Sequence, residues 1–260
     1  MSVYNGEEFL EDSILSVLNQ SYKDFEFVIV DDCSTDGTSA ILNDFQKTDS
    51  RIKVINNKQN LGLTRSLNKA IGESSGEYLA RLDAGDLSVE ERLEKQVNFL
   101  NNNKEVGLVG SFMYIIDTKG QIIKEVKYPI DNEALKKVLI RYNPFVHSSI
   151  MFRREVGARV GFYDEAFMYA QDYSLYFRFF PYAQFANLPF FLVKYRHMPH
   201  SITSTKNKQQ MYFANKARRY AIVQDFYSKF CYIFVFKQYL ISLIPTKIKF
   251  FLKNKLDNTL

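Results

Sequence analysis

From residue 7 to about residue 110 this chain alternates two apolar patterns, and that rhythm constrains its fold more than any other feature. Leu10, Ile14, Val17 and Leu18 recur at helical spacing before the run Phe25 to Val30. Ile41, Leu42 and Phe45 precede Ile52 to Ile55, and Leu63, Leu67, Ala70 and Ile71 precede Tyr78 to Leu82. Leu93, Val97 and Leu100 then lead into Val106 to Tyr114. Apolar residues three and four apart line one face of a helix, whereas a short unbroken apolar run suits a strand covered on both sides. Strands separated by helices predict an α/β fold, Rossmann-type, with a mostly parallel sheet and helices on both faces.

In such sheets the ligand crevice lies beyond the carboxyl ends of the strands. The residues there are polar: Tyr4 and Asn5 after a stub of first strand, Asp31 and Asp32 after the second, Asn60 to Arg65 after the third, and Asp83 and Asp86 after the fourth. Ser34, Thr35 and Asp36 read as caps of the next helix. Capping does not need Asp31 and Asp32, and adjacent carboxylates repel unless a ligand or cation engages one. Accepting a hydrogen bond from a base's ring N–H suits Asp32. Paired acids such as Asp83 and Asp86 fit a hard cation bridging to phosphates, and equally a capping turn. No glycine-rich dinucleotide or P-loop signature is present, so a nucleotide site here has to use side chains and metal.

After residue 115 the rhythm loosens into a stretch with His147, the turn Gly161-Phe-Tyr-Asp-Glu165, and Tyr169 to Arg178, which reads as a helix start. No linker divides residues 1–204. They are expected to form one domain, with a nucleotide-binding half at about 1–114 and an acceptor half at about 115–204.

The net charge of +5 is uneven, since residues 205–260 carry eleven Lys/Arg against two Asp/Glu. A nucleic-acid binder shows its basic stripe on the folded body, which here is acidic, so nucleic acid is not the expected partner. The tail's twelve aromatic residues beside those basic ones predict a C-terminal helical segment associating with a membrane surface. The alternative is a helical subdomain packed on the body. Its most apolar window, Phe226 to Ile244, is broken by Lys229, Lys237 and Gln238, whereas a spanning helix takes about 20 predominantly apolar residues. The start Met1-Ser-Val-Tyr-Asn-Gly-Glu-Glu lacks the basic and apolar regions of an export signal. Cys33 and Cys231 match no metal or redox spacing. The expected location is cytoplasmic, peripheral on the inner face of the cell membrane.

Seven segments together resemble family 2 of the glycosyltransferases: Val3-Tyr-Asn-Gly-Glu7, Leu18-Asn-Gln-Ser-Tyr22, Val30-Asp-Asp-Cys-Ser-Thr-Asp-Gly37, Asn60-Leu-Gly-Leu63, Arg81-Leu-Asp-Ala-Gly-Asp86, Glu91-Arg-Leu-Glu-Lys-Gln96 and Gln171-Asp-Tyr173. They cover residues 1–204 in order. The resemblance implies a GT-A-like fold and an inverting, nucleotide-sugar-dependent hexosyltransferase-like enzyme. Its donor would be a nucleotide diphosphate sugar, a UDP-sugar among the candidates. Its acceptor would be lipid-linked or a surface polysaccharide. Tyr4, Glu7 and Asp32 would hold the base and ribose, Arg65 would approach the phosphates, and Asp83 would belong to the diphosphate and metal site. Asp172 would be the general base that deprotonates the acceptor hydroxyl. The implied cofactor is Mg²⁺ or Mn²⁺. A non-catalytic nucleotide-binding relative in a glycan assembly complex is the alternative. A nucleotidyltransferase shares the layout but lacks its triphosphate loop.

Three departures stand out. Gly85 occupies the usual metal-ligand position of the acidic turn. Asp83 and Asp86 compensating, weak metal binding and a degenerate relative are the three readings. The family's Tyr-Arg-x-His becomes Tyr195-Arg-His-Met198, leaving His197 or His200 as the imidazole near the diphosphate. Relatives also carry several apolar residues before the Tyr-Asn pair, so this sequence is expected to start late, with a further stretch of central strand ahead of it.

Overall fold

A computed structural model describes residues 1–198 and 206–243. The first third is the expected parallel unit: β1 (Ser2–Val3), α1 (Glu7–Leu18), β2 (Phe27–Asp31), α2 (Thr38–Thr48), β3 (Ile52–Asn56) and α3 (Leu63–Gly72). Strand order is β1-β2-β3, with Val3 opposite Asp31 and Asp31 opposite Asn56. Every residue of β2 is buried, which is why its sequence is a continuous apolar run rather than an alternating one.

The later strands form a second, mixed sheet. In chain order come β4 (Tyr78–Ala80), β5 (Leu87–Ser88), α4 (Arg92–Asn102), β6 (Val106–Ile116), β7 (Ile122–Val126), α5 (Asn132–Leu139), β8 (Met151–Arg153), α6 (Arg154–Val160), α7 (Gln171–Phe179) and β9 (Gln184–Arg196). The sheet runs β4-β8-β6-β9-β5, with β7 also paired to β6. Only β6 and β9 pair in parallel, and the others are antiparallel. Parallel pairing thus joins β1, β2 and β3 and recurs along the long β6–β9 pair, while the remaining strands of the second sheet run antiparallel. Apolar periodicity marks where strands lie and is silent on which distant strand becomes the neighbour.

Two helices close the described chain, α8 (Asn207–Val223) and α9 (Tyr232–Leu243). Helix α8 buries Ala217, Ala221 and Ile222 in the same cluster as Leu175, Tyr176, Phe177 and Phe179 of α7. The buried Arg218 donates to the carbonyls of Ile140 at 3.0 Å and Arg141 at 3.1 Å. This stretch of the tail is packed on the body. Residues 244–260 lie outside the described residues. Among the described helices none is long and apolar enough to cross a membrane.

Beneath the crevice edge, Arg92 and Gln96 of α4 are buried. Arg92 donates to the carbonyls of Arg81 (2.7 Å) and Ile150 (3.1 Å), and Gln96 to that of Ser149 (2.7 Å). They tie the end of β4 to the short turn at residues 147–149. A cavity of about 640 Å³, lined by Phe27, Val28, Tyr78, Leu79 and Arg81 among others, separates β2 from β4.

Candidate active site

The loops after β1 and β2 are stitched to each other. Asn5 sits at φ 52° and Cys33 at φ 66°, left-handed values that non-glycine residues adopt only when their surroundings enforce them. The Asn5 N–H donates to Ser34 Oγ at 3.0 Å, and the Asn5 amide oxygen accepts from the Thr35 N–H at 2.8 Å. Gly6 N–H donates to Thr38 Oγ1 at 2.9 Å. Glu7 N–H reaches Asp36, and the Glu7 carboxylate accepts from the Gly37 N–H at 2.8 Å. Asp36 thus contributes to capping as its sequence position predicts, while Glu7 spends one carboxylate oxygen on the start of α2. Tyr4 is 52% exposed at the mouth of these loops.

Asp31 and Asp32 are both 2% exposed. Asp31 accepts from the Ser34 N–H (2.9 Å) and from the Ser39 hydroxyl. Asp32 accepts at Oδ1 from Asn57 Nδ2 (2.7 Å) and the Leu61 N–H (2.8 Å), and at Oδ2 from the Gly62 N–H (2.8 Å). These donors dissipate the repulsion between neighbouring carboxylates. An ionised carboxylate offers about four acceptor positions, so Asp32 keeps room for one more donor at Oδ2.

Arg65, near the start of α3, projects outward and pairs with Glu165 at 3.2 Å, both side chains more than half exposed. Thr64 donates to the Phe167 carbonyl and Asn68 to that of Tyr163, each at 2.8 Å. The loop before α7 is thereby held against α3.

The acidic turn divides its two carboxylates. Asp83 is ion-paired to the buried Arg81 and accepts from Ser148 Oγ at 3.1 Å, with its side chain 37% exposed. Partial burial opposes ionisation of Asp83, but the Arg81 charge and the hydrogen bonds from Arg81 and Ser148 hold it below the usual carboxylate range. Asp86 is buried, accepting from the Ser148 hydroxyl and, at 2.9 Å, from the Arg196 N–H. Burial and then the charge of Asp83 push Asp86 up to about 7. Gly85 explains itself by its backbone: φ is 101°, which favours glycine. Its N–H donates to Ser13 Oγ and its carbonyl accepts from Arg196 Nε, both at 2.9 Å. A β-carbon placed on Gly6 would lie 3.8 Å from that of Ala84, so this turn abuts the first loop.

Among the described residues no three His, Cys, Asp or Glu side chains gather to hold a metal. Asp83 faces outward and Asp86 inward. The donor set fits an ion bound by one carboxylate together with substrate phosphates, a common arrangement for Mg²⁺.

Asp172 lies in the first turn of α7, after Ala170 at φ 51°. Among the described residues its one side-chain donor is Asn143 Nδ2 at 2.8 Å. Burial, then the charge of Asp83, raises its pKa above the ordinary value, partly offset by the Tyr173 N–H and Asn143. The charge of Asp83 is thus felt at Asp172. Next to Ser148 in the chain, His147 places its Nε2 2.8 Å from Tyr163 OH. Burial drives His147 down to about 3, so the ring is neutral and serves as a hydrogen-bonding group.

Asn143, Ser148 and the His147–Tyr163 pair were not legible as site residues, because their partners are 16 to 65 positions away in the chain, whereas Arg81 pairs with Asp83 inside the acidic-turn motif itself. His197 is exposed and donates its backbone N–H to Ile116. His200 lies outside the described residues.

A short parallel sheet with charged and aromatic groups at its carboxyl edge, continued by a mixed sheet, is the GT-A-like fold that the sequence resemblance implies. The model of the family described as Glycosyl transferase family 2 matches residues 1–161, and the chain belongs to that family. An uncharacterized glycosyltransferase of Haemophilus influenzae is 34% identical over 225 residues, covering 83% of this chain and 70% of that one. The O-antigen biosynthesis glycosyltransferase WbnJ of Escherichia coli is 32% identical over 203 residues, 75% of this chain and 77% of its own. The fold matches S. aureus TarS 1–349 in complex with UDP-GlcNAc, with a TM-score of 0.68 at 18% identity over 83% of this chain and 64% of that one. It also matches the Pyrobaculum calidifontis mannosyltransferase PcManGT in complex with GDP-Man and Mn²⁺, with a TM-score of 0.66 at 19% identity over 91% and 66%.

Proposed function

We propose that this glycosyltransferase moves a sugar from a nucleoside diphosphate donor to a hydroxyl of a glycan or lipid-linked acceptor at the inner membrane face, inverting the anomeric centre. The observation that carries the reading is Asp172. Its carboxylate is sheltered, raised in pKa, and hydrogen-bonded by a single side chain, which leaves lone pairs for an incoming hydroxyl. A general base works best when its pKa approaches the working pH, and burial supplies that shift. Asp172 takes the acceptor's proton, the acceptor oxygen attacks the anomeric carbon, and the bond to the diphosphate breaks with its electron pair leaving on the diphosphate.

Tyr4 offers a face for the base, Asp32 one remaining acceptor position for a ring N–H, and Glu7 its second carboxylate oxygen for the ribose. Arg65 exchanges a solvent-exposed carboxylate partner for donor phosphate at little cost, since exposed ion pairs contribute about 0–1 kcal/mol. Asp83 would hold Mg²⁺ or Mn²⁺ jointly with the diphosphate, with Asp86 fixing the turn from behind. Such an ion, when bound, neutralises charge on the leaving group. The UDP-GlcNAc and GDP-Man bound to the structural neighbours, and the O-antigen role in WbnJ's name, support a nucleotide sugar donor and a polysaccharide-forming reaction.

The test is a panel of UDP- and GDP-sugars assayed with and without Mn²⁺. Binding and slow hydrolysis of at least one donor is expected, and neither with any donor would overturn the reading.

A further inference from the structure

We propose that residues 229–237 form a docking surface for an anionic lipid bilayer. The face is built by amphipathicity within a packed element. Val235 is 4% exposed and, with the partly buried Cys231, Tyr232 and Phe234, packs into the main core. On the other side Phe230 is 90%, Ile233 64% and Phe236 63% exposed. Phe230 stands in the 3-10 turn Lys229–Cys231 that leads into α9, and Ile233 and Phe236, about one turn apart on α9, are exposed with it, flanked by the exposed Lys229 and Lys237.

Three large apolar side chains standing side by side in water mark an interaction site rather than an ordinary surface. The interspersed lysines select the occupant. Apolar groups enter the acyl boundary while ammonium groups at the same level meet anionic headgroups. An apolar protein groove would instead have to desolvate those two charges. The described residues from 226 to 243 contain no acid, and the sequence continues with Lys247, Lys249, Lys253 and Lys255 before Asp257. The buried side of the same helix is fixed to the body, so binding would hold the catalytic domain at the bilayer without a spanning segment. The proposal stands independently of the transfer chemistry.

The chain has no tryptophan, so Phe230→Trp gives a single reporter. Full-length protein is mixed with vesicles of phosphatidylcholine alone or phosphatidylcholine with phosphatidylglycerol, and scored by co-sedimentation and tryptophan emission. Expected are binding to the anionic vesicles that weakens with salt, and a blue shift of the reporter. The triple variant Phe230→Ser, Ile233→Ser, Phe236→Ser should lose roughly tenfold or more in partitioning, and Lys229→Glu with Lys237→Glu should abolish the preference for anionic lipid. Unchanged melting temperature and far-UV circular dichroism control for folding. The proposal is overturned if the triple variant partitions like wild type, if the reporter does not shift, or if wild type is a dimer that the triple variant converts to monomer.

Discussion

The acidic turn and the start of α7 each present a carboxylate lifted above its ordinary range by burial, yet the two are wired differently. Asp86 spends its oxygens on the Ser148 hydroxyl and the Arg196 N–H, and Arg196 in turn grips the Gly85 carbonyl. Asp172 has only Asn143 as a side-chain donor, and it lies at the mouth of α7 rather than beneath a turn. A raised pKa therefore does not by itself identify a base. What separates the two is access: Asp86 is 3% exposed beneath its turn, whereas Asp172 is only partly buried at the start of α7, open to a substrate.

The largest expected effect tests that contrast directly. Asp172→Asn should lower transfer by roughly 10²–10⁴-fold, the usual share of a general base. Its melting temperature should stay close to wild type, because the amide retains a hydrogen-bonding oxygen for Asn143. Steady-state kinetics beside a thermal melt checks both halves. Unaltered transfer would remove the distinction between the two carboxylates.

Asp83→Asn comes next. It deletes the outward carboxylate while Asp86 stays, and should cost about 10²-fold in transfer if Asp83 stabilises the leaving diphosphate electrostatically. Dependence on Mn²⁺ should flatten as well, measured by titrating the ion at saturating donor. An unchanged Mn²⁺ profile would move the ion away from this turn.

Asp86 is expected to act on stability instead. Its folded pKa of about 7 lies above its ordinary value of 3.8, so the folded state binds the extra proton. Stability contributed by that proton is full below about 4 and is lost as pH rises to about 7. Denaturant melts across that window should show the decline in wild type and a shallower one in Asp86→Asn. Asp86→Ala, which strands the buried Arg196 N–H, should lose about 1–3 kcal/mol. A large loss of transfer without a loss of stability would instead give Asp86 a direct part in the chemistry.

The smallest effect belongs to Arg65→Ala. Its ion pair with Glu165 is exposed, so stability should change by less than about 1 kcal/mol. A several-fold rise in donor KM with little change in kcat is expected from the lost phosphate contact. A collapse of kcat would show that Arg65 acts in the transition state.

Much of the first parallel unit was legible because its interactions are local or follow from strand ends. Strand β2 announces itself by a run of apolar residues, and its end fixes Asp31 and Asp32. Of the three residues expected to cap α2, Asp36 accepts from the Thr38 N–H of that helix, while Ser34 and Thr35 bond Asn5 instead. The second sheet was less legible. Strands β4 and β8 are antiparallel partners about 70 residues apart, and no periodicity records that choice.

By itself the sequence determined the alternation of elements, the polar edge they share and the family to which the chain belongs. Each of these is written in neighbouring residues. Only the tertiary structure decided that Asp83 faces out while Asp86 faces in, that Asp172 is sheltered against Asn143, and that α8 packs on α7 while one side of 229–237 faces solvent. Burial and hydrogen-bond partnership depend on residues distant in the chain, and these set a carboxylate's pKa and its free lone pairs.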